Sequence, residues 1–87
     1  MECVVKIYKH GKFYNVYGND AIVVSVLTNY KVINNRLGFP ISMINKVIGL
    51  LHRNKISYIV FDKDNIIRKY KGINKIYKCI LDKCENQ

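Results

Sequence analysis

The segment Ile56-Ser57-Tyr58-Ile59-Val60-Phe61 is apolar on both alternating faces of an extended chain. Such a strand loses too much by facing water on either side, so it is expected as a central strand under cover. The cover stands directly before it. Met43, Ile44, Val47, Ile48 and Leu51 recur at helical spacing on one side, with Asn45, Lys46, Gly49, His52 and Arg53 on the other. That pattern predicts an amphipathic helix with Ser42 as its N-cap. A sheet packed by helices is the architecture these two neighbours require.

The rest of the chain fits that plan. Cys3, Val5 and Ile7 alternate with Val4, Lys6 and Tyr8, which predicts a strand. His10-Gly11-Lys12 is a turn, and Phe13-Tyr14-Asn15-Val16-Tyr17 closes a β-hairpin. After Gly18, Asn19 or Asp20 is placed to cap a helix whose apolar positions are Ala21, Val24 and Leu27. The β-branched run Ile22-Val23-Val24 opposes that helix, and propensity alone makes it a strand. Tyr30 to Asn34 reads as a third strand and Asn35 to Pro40 as an irregular connection. Asp62 to Asn65 is a turn, Ile66 to Tyr70 a short strand, and Asn74 opens a last helix. Its apolar stripe is Ile73, Ile76, Tyr77, Ile80, Leu81 and Cys84. The tail Glu85-Asn86-Gln87 is expected to fray. The order ββαβαββα makes one mixed α+β sheet packed by helices, with residues 1–87 as a single domain.

Composition narrows the function classes. Fifteen Lys and Arg stand against six Asp and Glu, a formal net charge of +9 on 87 residues. The sequence pI is about 9.6, in the range of nucleic-acid-binding domains. Lys, Asn and Ile together are also what an AT-rich genome writes into any protein, so part of this charge can be compositional. Hydrophobic residues make up 49%, enough for a core. No apolar run approaches the roughly 20 residues of a membrane span, and Met1 to Lys6 shows no signal pattern, so a cytoplasmic chain without membrane contact is expected. Cys3, Cys79 and Cys84 are odd in number and lack metal-ligand spacing, which predicts reduced thiols.

Catalytic signatures do not emerge. The five glycines are scattered singly, with no phosphate-binding loop, and there is no Gly-x-Ser-x-Gly elbow. Asp62 and Asp64 form the one close acidic pair, and their setting predicts a solvated hairpin tip. His10 has no nucleophile or orienting carboxylate near it in sequence. No enzyme activity, metal or cofactor is expected.

At the hairpin and first helix, the string Gly11-Lys12-Phe13-Tyr14-Asn15-Val16-Tyr17-Gly18-Asn19-Asp20-Ala21 resembles the N-terminal mismatch-recognition domain of the DNA mismatch-repair protein MutS. That family reads Gly-Asp-Phe-Tyr-Glu-Leu-Phe, followed shortly by Asp-Ala and a helix. Gly38-Phe39-Pro40 is similar to its Gly-Ile-Pro, Ile44 to Leu51 to its next helix, and Ile56 to Phe61 to the strand that ends the unit. The likeness spans residues 5–62, with a longer family loop before Gly38. It implies the recognition-domain fold and a free-standing DNA-binding module, without the clamp or ATPase of the repair protein. In the family the Phe stacks on a mispaired base and the Glu hydrogen-bonds it. The resemblance gives Phe13 the first role and Asn15 the second. Asn donates and accepts but carries no charge, so discrimination that rests on a carboxylate is weakened.

Side-chain alternation gives that motif a physical reading. With Tyr14 and Val16 in the core, Phe13 and Asn15 share the opposite face. An exposed Phe beside Lys9, His10 and Lys12, with Arg36 in the later connection, has what a base-step wedge among phosphate contacts needs. An aromatic in a hairpin equally serves as core or cross-strand packing. Three outcomes stay open: a basic DNA-binding module reading mismatched or distorted duplex, a protein-interaction or inhibitor module of the phage or mobile-element kind, and a domain whose charge reflects genome composition alone.

Overall fold

The computed structural model describes residues 2–85. The elements are β1 (Val4–His10), β2 (Phe13–Tyr17), α1 (Gly18–Thr28), β3 (Arg36–Pro40), a 3-10 turn (Ile41–Met43), α2 (Ile44–Arg53), β4 (Ser57–Asp62), β5 (Asn65–Tyr70) and α3 (Lys75–Glu85). They form one five-stranded sheet of order β3-β2-β1-β4-β5, antiparallel except for the parallel β1–β4 pair. The mixed α+β class and the order ββαβαββα agree with the sequence reading.

One face of the sheet is the core. Val5, Ile7, Val16, Leu37, Phe39 and Val60 point into it and are all but inaccessible. The helices cover the same face. Ala21, Val23 and Val24 come from α1, Val47, Ile48 and Leu51 from α2, and Tyr77, Ile80 and Leu81 from α3. Helix α1 packs on β1, β2 and β3 and touches both other helices. Burial there outweighs the poor helix propensity of Ile22-Val23-Val24, because the helix lays Ala21, Val23 and Val24 against the sheet and the neighbouring helices.

Several local expectations are corrected. Tyr30 to Asn34 is not a strand. Asn34 and Asn35 take positive φ, 52° and 64°, and Ile33 and Arg36 hydrogen-bond to each other across them. This is a tight reversal of the type I′ kind, which asparagine tolerates. The third strand follows it at Arg36–Pro40, in the stretch expected to be irregular, and Pro40 ends it. As the last residue of an edge strand, Pro40 costs no ladder bond. β4 lies inside the sheet but beside the middle strand, which is β1. Ser42 falls within the 3-10 turn, and α2 starts without a side-chain cap. α1 also begins earlier than expected, at Gly18, and neither Asn19 nor Asp20 caps it. The expectation for Asn86 and Gln87 lies outside the described residues.

Asp20 has a different task. Its Oδ2 accepts the Lys6 N–H at 3.1 Å, a backbone donor on β1 beyond the rungs shared with β2, and its Oδ1 accepts the Tyr77 hydroxyl at 2.5 Å. One carboxylate thus joins the middle strand, α1 and α3. Burial pushes the Asp20 carboxyl up, outweighing the hydrogen bonds from Tyr77 and Lys6 that pull it down. Burial also pushes the Tyr77 phenol far up, and the Asp20 hydrogen bond and charge add to the shift.

A second close approach closes the far end of the molecule. The C-terminus of α2 ends with Lys55 at φ 56°, Lys55 N–H on the His52 carbonyl and Ile56 N–H on the Leu51 carbonyl. This is the Schellman arrangement, with lysine where glycine is usual. Gly72 lies against the Lys55 carbonyl, and a Cβ built on it would come within 2.0 Å of that oxygen. Its N–H donates to Ser57 Oγ at 2.8 Å.

Gly72→Ala is expected to destabilise by about 1–3 kcal/mol, since backbone has to move to admit the methyl; urea denaturation measures it. Tyr77 keeps its proton in the folded state at pH values where the unfolded chain loses it, so stability should fall as pH rises above about 10. Tyr77→Phe should cost about 1.5–3 kcal/mol at neutral pH, the range for a hydrogen bond to a charged group, and flatten that alkaline loss. Melting curves of both proteins between neutral and strongly alkaline pH check the pair of effects.

Candidate nucleic-acid interface

The β1–β2 hairpin sets the site. Gly11, at φ 62°, occupies the first central position of a two-residue turn, where L side chains are strained. His10 pairs with Phe13, Lys9 with Tyr14 and Tyr8 with Asn15. Tyr14 and Val16 enter the core, so Phe13, Asn15 and Tyr17 face away from the helices. Phe13 is 52% exposed, whereas Asn15 keeps only 8% of its surface. Asn15 lies opposite Gly38 on β3, and a Cβ at Gly38 would sit 3.1 Å from the Asn15 Oδ1. Glycine there leaves the room the amide occupies.

Around this amide the outward face is hollowed into a concavity of about 420 Å³. Phe13, His10 and Arg36 stand around it, with Asn15 and Gly38 between them. Lys31 and Ile33 complete the lining, brought there by the Asn34-Asn35 reversal. The lining holds Lys31, Arg36 and His10 and no carboxylate, so its potential favours an anion. Among the described residues no group of three or more His, Cys, Asp or Glu could hold a metal ion, Cys3 is a buried free thiol and Cys79 an exposed one.

Four of the residues singled out from the sequence, Phe13, Asn15, His10 and Arg36, line this one concavity. Lys12 is exposed in the turn beside it, its carbonyl accepting the Ile41 N–H at 3.1 Å. Lys9 is not part of it. Its alternation matches Tyr14 and not Phe13, so it points to the helix side, with Nζ 3.9 Å from Asp62 Oδ2. Lys31, Ile33 and Gly38 were missed. The Asn-Asn pair was the signal for the reversal that delivers the first two, and Gly38 becomes visible only once β3 is in register with β2.

No model of a known protein family matches the chain, and no curated protein matches it. Among the described residues, no helix is long and apolar enough to cross a membrane.

Because the Phe13 ring is half in solvent, Phe13→Ala should shift stability by no more than about 0.5 kcal/mol. A buried ring would cost about 3–5 kcal/mol, so one thermal melt separates the two.

Proposed function

We propose that this chain is a small, basic, non-enzymatic DNA-binding module that holds phosphates with His10, Lys12, Lys31 and Arg36 and offers Phe13 to a base step. The observation that carries the reading is the exposed Phe13 ring on a concavity lined by basic side chains and no carboxylate, with the Asn15 amide inside it. The physics is that of a minor-groove wedge. An apolar ring partly unstacks a base step, the cations hold the backbone, and the gain in contact offsets the unstacking. The resemblance of Gly11 to Ala21 to the MutS recognition domain assigns Phe13 the same role. Asn15, in place of the family's Glu, can hydrogen-bond an exposed base edge without repelling phosphate, which favours binding over discrimination between mismatches.

Gel retardation with homoduplex, mismatched duplex and single-stranded DNA at two salt concentrations tests this. Affinity is expected to fall steeply from about 50 to 200 mM salt, because Lys and Arg contacts release counterions. Phe13→Ala should lose about 1–3 kcal/mol of binding, the scale of one base–ring stack. Lys12→Ala should weaken binding to all sequences alike and flatten the salt slope. Absence of retardation at low salt would overturn the proposal and point to a protein partner.

A further inference from the structure

The sheet face turned away from the three helices carries more than the concavity. Tyr17 on β2, Tyr8 on β1 and Phe61 on β4 stand in a row across three neighbouring strands. The Tyr8 ring centroid is 6.0 Å from that of Tyr17 and 5.1 Å from that of Phe61, the latter two rings 10° from parallel. Tyr17 is 47% exposed and Tyr8 38%. Sequential alternation alone does not require rings here. These positions face solvent, where an ordinary sheet carries polar side chains.

Register places a line of cations beside the row. Arg36 pairs with Tyr17, Lys6 with Ile59, and Ile59 with Lys69. The three cations therefore occupy alternate strands, β3, β1 and β5, about 10 Å apart at a strand spacing of about 4.8 Å. Glu2 meets Lys6 Nζ at 3.2 Å, while among the described residues Arg36 and Lys69 make no ion pair. A purely apolar partner would cover the rings and leave Arg36 and Lys69 without a counter-charge. A polymer with an aromatic face and a phosphate at each step satisfies both rows. In a duplex the base faces are already stacked on one another and each one exposed costs an unstacked step, so a row of several rings is served by unpaired bases.

We infer that the open face of the sheet binds an unpaired stretch of nucleic acid, with bases packed on the row formed by Tyr17, Tyr8 and Phe61 and phosphates at Arg36 and Lys69. The site does not depend on Phe13 acting as a wedge. It adjoins the concavity, because Tyr8 pairs with Asn15.

The test uses the full chain with a short labelled oligothymidylate and a homoduplex of equal length, followed by fluorescence anisotropy. The chain has seven tyrosines and no tryptophan, so quenching of tyrosine emission reports stacking independently. The oligothymidylate is expected to bind more tightly than the duplex and to quench the emission. Tyr8→Leu and Tyr17→Leu should each weaken single-strand binding by about 5- to 150-fold, the span of one base–ring stack. Tyr17→Phe, which keeps the ring, should bind as the parent does. Circular-dichroism melts confirm that each variant is folded. Single-strand binding unchanged in both leucine variants, or equal affinity of the parent for the two probes, overturns the inference. So does a concentration-dependent dimer abolished by Tyr8→Leu, which would mean that a second copy covers the face. Phe13→Ala separates the two readings. If it weakens duplex binding while the tyrosine variants change nothing, the sheet-face site fails alone; if the tyrosine variants lose single-strand binding and Phe13→Ala is silent on duplex, the wedge fails alone.

Discussion

The structure depends on burying one face of a five-stranded sheet and only one. Val5 and Ile7 on β1, Val16 on β2, Leu37 on β3 and Val60 on β4 all point to the helix side and are shielded from water. Strand side chains alternate with a period of two, so this burial also decides what stands on the other face. A slip of one residue in β2 would put Tyr14 and Val16 in water and Phe13 and Asn15 in the core. The position of the candidate site is therefore a consequence of core packing, not a separate feature.

Asp20 shows how the covering layer is held. The hairpin ends its pairing before Lys6, which would leave a backbone donor of the middle strand without a partner. The first turn of α1 supplies the acceptor, and α3 closes on the same carboxylate through Tyr77. A partly buried carboxylate is costly on its own, and its two donors are what make it tolerable. Asp20 therefore serves the fold, holding strand β1 and helix α3 to the start of α1.

The outward face combines features that core physics does not ask for. Phe13, Tyr17 and Tyr8 are exposed rings, Asn15 is an amide sunk beneath them, and Arg36, Lys31 and His10 stand nearby. Single exposed apolar residues are ordinary, but several rings in cross-strand register with cations interleaved concentrate both stacking and charge on one surface. Glycine at position 38 contributes by absence, since any side chain there would crowd the Asn15 amide.

Much of this was legible from local pattern. The hairpin about Gly11, the amphipathic face of Met43 to Leu51, the strand Ser57–Asp62 and the stripe of α3 all follow from periodicity and turn chemistry, which act within a few residues. The parity of Phe13 against Tyr14 followed too, once Val16 was assigned to the core. What local pattern missed depended on partners distant in sequence. α1 is a helix because strands β1, β2 and β3 offer it an apolar bed, which overrides its β-branched run. The third strand lies at Arg36–Pro40 because it pairs with β2, and Tyr30 to Asn34 turns back because Asn34 and Asn35 accept positive φ. Lys9 left the site, and Lys31 and Ile33 entered it, for the same reason: the sequence by itself determined which side chains share a face of each strand, but only strand register and loop closure, set by long-range packing, decided which of those faces meet.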